Sequence, residues 1–570
     1  MEELTRRTFL KAAGIAGASA FAVAGIAGCA PSNQGSDGGG SGGGGTNTGS
    51  DSGSGSSLSA KTKDIGKVVE ASRTEDADIV VVGSGIGGFF ASMISKEQAP
   101  SATVIMLEKN NGLGGSTNFA ECNGPGTNVA EDSARMRGFQ SAAGTNYVSN
   151  SILHYERVRE QGDNCDWLFG KHKVGWYKAG PSFYEGGNGA SCIRTLTPIA
   201  EAEGVDIRSN SRATALLTQG DYKVTGVQYT DEDGKVVHLN AKAVILCTGG
   251  MSTNKELLGY YSSQDMDKII GWGEGQDGDG HLMAEQTAHG RANHLCVASL
   301  FNNIGDASGS AAYDSPLGVS LAMQYSNCYV NEYGIRFANE SGTDGRLGTA
   351  ESGKLIESQG YVFSIADASM IAKYEAGGCE RHYSGFADAC IGNTLDLQAE
   401  LTKYANSSFL YKASTIKELG DAIKARVPYF DIDAFVAEIA KYNSFAASGT
   451  DTDYGKDAGS LWAITEAPFY AFQISSGMLN TCGGIRINRD AQVVDARGKV
   501  VEGLYAAGVC TSGWDGEVYG GGTCQSVGMW AGSKAARHAV KNLLGLSVAA
   551  DWMGNEKSTD SVPVDPPVKH

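Results

Sequence analysis

None of the 12 cysteines is spaced C-x-x-C or C-x-x-C-H. Neither a c-type haem attachment nor a recognisable zinc or iron–sulfur framework is written into the chain, and only a cluster with dispersed ligands stays open. Cys29 aside, the cysteines read as buried free thiols. Basic charge is scarce: 46 Lys and Arg face 64 Asp and Glu, a net charge of −18. That balance argues against nucleic acid and against adhesion to anionic lipid. No internal repeat is present, and no apolar run is long enough to be a firm membrane span.

What is present begins with an address. Arg6-Arg7-Thr8-Phe9-Leu10-Lys11 is a twin-arginine pair, and residues 12–28 form a short apolar run rich in Ala and Gly. The run ends Ile26-Ala27-Gly28-Cys29, which resembles a bacterial lipobox with Cys29 as the acylated residue; ordinary cleavage nearby without a lipid is the alternative. The reading is export by the twin-arginine route to the outer side of the cell membrane, held there peripherally by a lipid. From 32 to about 60 the residues are almost all Gly, Ser, Asn, Asp and Thr, which cannot bury enough apolar surface to offset chain entropy. Such a tether spans roughly 30 Å.

Ala77-Asp78-Ile79-Val80-Val81-Val82 reads as the buried first strand of a parallel sheet. Gly83-Ser84-Gly85-Ile86-Gly87-Gly88 follows at once and satisfies G-x-G-x-x-G. Gly83 permits the tight turn, Gly85 lets a pyrophosphate approach the backbone, and Gly88 lets the next helix pack on the strand. A second strand ends at Glu108, where an acid is needed for a ribose. The pattern predicts a dinucleotide on a helix N-terminus. Lys109 and the glycine pair Gly114-Gly115, beside Ser116 and Thr117, suit a loop passing close to phosphate or flavin.

Further on, 205–209 and 212–217 read as strands, 224–229 and 236–239 as a hairpin, and 243–247 as another buried strand ending in Thr248-Gly249-Gly250. The pattern returns at 503–508, a strand into Gly508, and at Tyr519-Gly520-Gly521-Gly522-Thr523-Cys524-Gln525, which opens a helix over 526–544. The chain therefore predicts an α/β protein with a discontinuous Rossmann-like dinucleotide-binding domain and an inserted α+β capping domain. Its divisions are a signal over 1–29, a linker over 30–75, the binding domain over 76–254 and 465–545, the cap over 255–464, and an unstructured tail over 546–570.

Taken in order, the 83–88 loop, Glu108, 114–117, 248–250, Gly278-Asp279-Gly280, Asn331 with Gly334, Arg336-Phe337-Ala338-Asn339-Glu340, Cys482-Gly483-Gly484 and 503–508 resemble the fumarate reductase and 3-ketosteroid dehydrogenase flavoprotein superfamily over about 76–545. With its leader the chain is similar to the exported flavin reductases of gut actinobacteria, such as urocanate, cinnamate-type and cardiac glycoside reductases. The resemblance implies non-covalent FAD and hydride exchange between the flavin and a carbon–carbon bond next to a carbonyl. It carries the cofactor contacts onto Gly83, Ser84, Gly85, Ile86, Gly87, Gly88, Glu108, Lys109, Gly115, Ser116, Thr117, Ala213, Thr248, Gly249, Gly250, Asp279, Gly508, Thr523 and Gln525.

The departures matter more. Fumarate reductases clamp two carboxylates with Arg and His and donate a proton from Arg, because guanidinium forks match carboxylates. Here Asp344 stands at the donor's place, Asn480 at the His and Tyr519 at a clamp Arg, while Val509 replaces a Glu beside the flavin. Fumarate is therefore rejected as the main substrate. Tyr519 resembles the Tyr of ketosteroid dehydrogenases and is the candidate proton donor, with Arg346 the substitute and Tyr333 at the pocket rim. The expected activity is saturation of an enone, an unsaturated lactone or a similar small molecule, with electrons from a membrane or periplasmic cytochrome. A flavin electron carrier, and a desaturase working in the oxidative direction, are the alternatives.

Overall fold

The computed structural model describes residues 62–120, 122–123, 130–144, 148–178, 182–185, 188–262, 264–271, 273, 275–289, 293–297, 301–306, 309–310, 325–341, 349–377, 396–478, 480–514, 522–549 and 552. The leader, the tether and Cys29 lie outside these residues, as do Asp344, Arg346 and Tyr519.

Strand β1 (Arg73–Val82) carries the apolar run, and Ile79, Val80, Val81 and Val82 are all buried. β-branched residues on both faces of one strand belong in the middle of a parallel sheet. There β1 lies between β2 (Val104–Leu107) and β3 (Val236–Leu246), parallel to both, with Val82 opposite Leu107 and Leu246. The order across the sheet is Gln492–Val494, Val500–Ala506, β3, β1, β2, Asp206–Arg208. Helix α1 (Ile86–Gln98) follows the glycine loop. The hairpin strand and the buried strand expected as separate are one: β3 runs unbroken, its first half paired with Val224–Thr230 and its second half with Val500–Ala506.

Helix α2 (Ser151–Cys165) runs on into a π-helical turn over Asp166–Lys171, and α3 (Ala190–Ala202) packs beside α1. Trp167 and Phe169 are fully buried there. The returning helix α4 (Thr523–Asn542) crosses α1 where both are small. A Cβ at Gly532 would stand 2.5 Å from the Gly87 carbonyl oxygen, so the two backbones touch there.

The second sheet is built on β4 (Phe469–Met478), which pairs with Phe301–Asp306, Val362–Asp367, Leu410–Ala413 and Ile269–Gly271. β4 differs from the expected division, which gave 465–478 to the returning binding segment. All ten of its residues are buried, and Phe469 to Phe472 pack into the cap core with Phe363 and Phe435. The chain leaves the cap only after Met478, through β5 (Thr481–Gly484).

A buried charge cluster fixes the cap segment ahead of 342–348. Arg336 donates from Nε and Nη2 to the two oxygens of Glu340, at 2.9 and 2.8 Å, and from Nη2 to Asp451 at 2.8 Å. Lys456 Nζ completes it, bonded to the Asn327 carbonyl at 2.7 Å and the Tyr442 hydroxyl at 3.0 Å. Burial raises the Asp451 carboxyl, but Arg336 and the Lys456 and Tyr454 N–H groups together outweigh it and bring the carboxyl to about 2.

Candidate cofactor and substrate site

Four segments meet at the carboxyl ends of β1, β2 and β3, where open α/β sheets bind ligands. Gly83 has φ +105, and a Cβ there would stand 2.3 Å from the Cys247 carbonyl oxygen. Only glycine turns the chain so close to the end of β3. Gly85 is the N-cap of α1 and brings no side-chain cap. A Cβ on Gly85 would meet only Thr117 Oγ1, at 3.4 Å, and Gly114 O, at 3.7 Å. That open space lies in front of a helix N-terminus, the environment a pyrophosphate needs.

Glu108 ties the glycine loop to β2. Its Oε2 accepts from the Ser84 N–H and hydroxyl, its Oε1 accepts from Asn110 N–H at 2.9 Å, and Ser84 Oγ in turn accepts from Gly114 N–H at 2.9 Å. Thr117 Oγ1 accepts from Ile86 N–H at 3.0 Å, on the short helix Gly115–Phe119. Ser116 receives Gln276 Nε2, while Gln276 Oε1 accepts Gly250 N–H at 2.9 Å. Gln276 thus joins the second glycine loop to the third. Sequence reasoning passed it by, although it stands two residues before the Gly278-Asp279-Gly280 motif.

Asp279 opens a short helix behind the loop and holds Lys109 Nζ at 3.0 Å and Arg212 through two bonds, at 3.0 and 2.8 Å. Burial pulls the Arg212 guanidinium down, but Asp279 more than reverses this and the net shift is upward. Lys109 and Asp279, both assigned to the cofactor, are thereby each other's partners, and Arg212 was missed beside Ala213. Ala213 is a buried position on the strand Arg212–Thr218. Gly249 and Gly508 have φ of +70 and +80. Thr523 begins α4, and Gln525 accepts the Tyr184 hydroxyl at 3.1 Å.

On the cap side, Thr481 Oγ1 accepts Met251 N–H at 3.3 Å, which seats β5 against the 248–250 loop. Asn480 stands next to it, 4% exposed, and its Nδ2 has no hydrogen-bond partner among the described residues. A buried amide left unmet costs about 1–3 kcal/mol unless a ligand meets it. Gln473 Oε1 and Ser476 Oγ on β4 are also buried and unmet. Tyr333 is 52% exposed on its turn, its ring 6.0 Å from that of Tyr429. A phenol so open to water is poorly suited to a shielded proton transfer, and it takes no part in the mechanism below. Among the described residues no helix is long and apolar enough to cross a membrane. Of the seven described free cysteines, six are buried.

The glycine loop, the acid at the end of β2 and the open helix N-terminus define a dinucleotide-binding protein. The chain belongs to the FAD binding domain family, whose pattern it matches over residues 153–524. It is an FAD-binding oxidoreductase. It is similar to the vinyl phenol reductase of Lactiplantibacillus plantarum, 28% identical over 82% of this chain and 97% of the relative. The probable fumarate reductase Ifc3 of Shewanella frigidimarina is 27% identical over 84% and 77%. The digoxin reductase of Eggerthella lenta is 23% identical over 89% and 91%. Two solved structures share the fold: the open conformation of a flavocytochrome c3 fumarate reductase (TM-score 0.59, 24% identity, 82% of this chain and 79% of that one) and the 3-ketosteroid Δ1-dehydrogenase of Sterolibacterium denitrificans (TM-score 0.64, 16% identity, 82% and 99%).

Proposed function

We propose that the protein is an exported, lipid-anchored reductase that saturates the C=C bond of a neutral α,β-unsaturated carbonyl compound, with non-covalent FAD and electrons from a cytochrome. The observation that carries this is Asn480. A buried amide N–H donor without a partner suits a neutral carbonyl oxygen and gives a dicarboxylate no charge to pair with. The relatives named for vinyl phenol and digoxin support an acceptor other than fumarate.

Bound FAD supplies hydride to the β-carbon of the acceptor. The residues supply the rest. The Asn480 amide holds the carbonyl oxygen and stabilises the charge that develops there, as a donor placed in advance does. Tyr519 protonates the α-carbon, with Arg346 as the substitute donor. The cap, packed around β4, shields the step from water. Arg6, Arg7 and Cys29 carry export and lipid attachment, and the tether lets the domain reach a membrane-side cytochrome.

The test is Tyr519→Phe. It keeps the ring, so FAD content and reduction by a viologen should hold, while turnover of an enone falls by about 10² to 10⁴. Near wild-type turnover would remove Tyr519 from the mechanism. Rapid bleaching of the wild-type flavin by NADH would remove the cytochrome.

A further inference from the structure

On the far side of α1 from its glycine loop, three helix ends converge. Glu97 lies in the last turn of α1, His172 caps the π-helical turn that continues α2, and Glu203 caps α3. Their ligand atoms, one from each side chain, all lie within 4.8 Å of one another. Glu97 Oε1 is 3.0 Å from His172 Nε2, about the edge of a coordination sphere with bonds of about 2.0–2.2 Å. Each of the three backbones presents its carboxyl end, where the helix dipole leaves partial negative charge.

The two carboxylates are unequally served. Glu97 accepts Trp167 Nε1 at 3.2 and 3.1 Å and pairs with Lys171 Nζ at 2.8 Å through Oε2. Glu203 Oε2 is buried and, among the described residues, has no hydrogen-bond partner. A carboxyl oxygen in that state is met by a proton or by a cation, and Lys171 is already committed to the other carboxylate. His172, buried and stacked edge-on against Trp167 at 4.2 Å, is held with Nε2 turned inward.

We propose that Glu97 Oε1, His172 Nε2 and Glu203 Oε2 form a structural site for a divalent transition metal, zinc above all, which ties the ends of α1, α2 and α3 together. One imidazole nitrogen and two carboxylate oxygens suit zinc, whereas calcium wants six to eight oxygens. Lys171, partly exposed, stays on Glu97 Oε2 or swings into solvent as the ion enters. The site lies apart from the cofactor loops, so the ion acts on stability and not on chemistry.

The test uses the FAD-loaded enzyme, stripped with EDTA and desalted. Calorimetric titration with ZnCl2 should give one ion per chain, with a raised Tm, weaker binding of MnCl2 and none of CaCl2. Glu203→Gln loses no hydrogen bond, so its FAD content and metal-free Tm should match the wild type while zinc affinity falls by about tenfold or more. His172→Gln should lower zinc affinity likewise, but it also gives up the Glu97 contact and the Trp167 stack, so its metal-free Tm should fall. The proposal is overturned if the wild type binds no zinc, if calcium binds as well as zinc, or if both variants keep wild-type zinc affinity.

Discussion

Glu108 takes both donors of Ser84 on a single carboxylate oxygen, the N–H at 3.1 Å and the hydroxyl at 2.6 Å. The acid expected for a ribose therefore also locks the glycine loop, because the end of β2 stands beside the turn that follows β1. Glu108→Gln keeps the shape and loses the charge. Hydrogen bonds to a charged group are worth about 1.5–3 kcal/mol, so FAD affinity should fall by about 10- to 150-fold without loss of secondary structure. Gly85→Val should abolish FAD binding, since its side chain fills the open cradle. Flavin absorbance after desalting and circular dichroism check both. Full FAD occupancy in Gly85→Val would contradict the assignment of the loop.

The contact of α1 with α4 makes a second prediction. At Gly532 an added Cβ meets backbone, whereas at Gly112 it meets nothing within 4 Å. Gly532→Ala should cost about 1–3 kcal/mol, and Gly112→Ala should stay within about 0.5 kcal/mol of the wild type. Thermal melts of the two variants side by side check the difference.

The parts legible in the sequence were local ones. Strand, glycine loop, helix and Glu108 follow one another within about forty residues of chain, and each announces itself by periodicity or by a turn residue. Partnerships across the chain were not legible. Gln276 bridges Ser116 and Gly250 only once three loops are brought together. β4 reads as an apolar strand wherever it is put, and its ladder partners alone assign it to the cap. The unbroken β3 reads as two strands because Asn240-Ala241-Lys242 between the two apolar runs looks like a break, although the ladder to β1 runs on through it.

Acid should destabilise the protein through histidines that the fold keeps neutral. Burial first, with Arg157 next, brings His154 down to about 4; burial first, with His289 next, brings His281 down to about 3. Both lie below the unfolded value of about 6.5. Between these values the unfolded chain binds protons that the folded chain does not. Their stabilisation is therefore complete above pH ~6.5 and is lost on going down through that window, at about 1.4 kcal/mol per pH unit for each histidine. His281→Leu gives up no hydrogen bond, as neither ring nitrogen has a partner, and it should flatten the fall of Tm between pH 7 and pH 5. An unchanged slope would remove His281 from this account.

The neutral acceptor at Asn480 is tested most directly by one anaerobic half-reaction. The enzyme is reduced with a viologen, freed of excess donor and mixed in a stopped-flow cell with enones, an unsaturated lactone, 4-vinylphenol or fumarate while flavin absorbance is followed. A neutral conjugated acceptor should reoxidise the flavin about 10²-fold faster than fumarate, the difference that one unmatched charged group makes. Reoxidation fastest with fumarate would contradict the account.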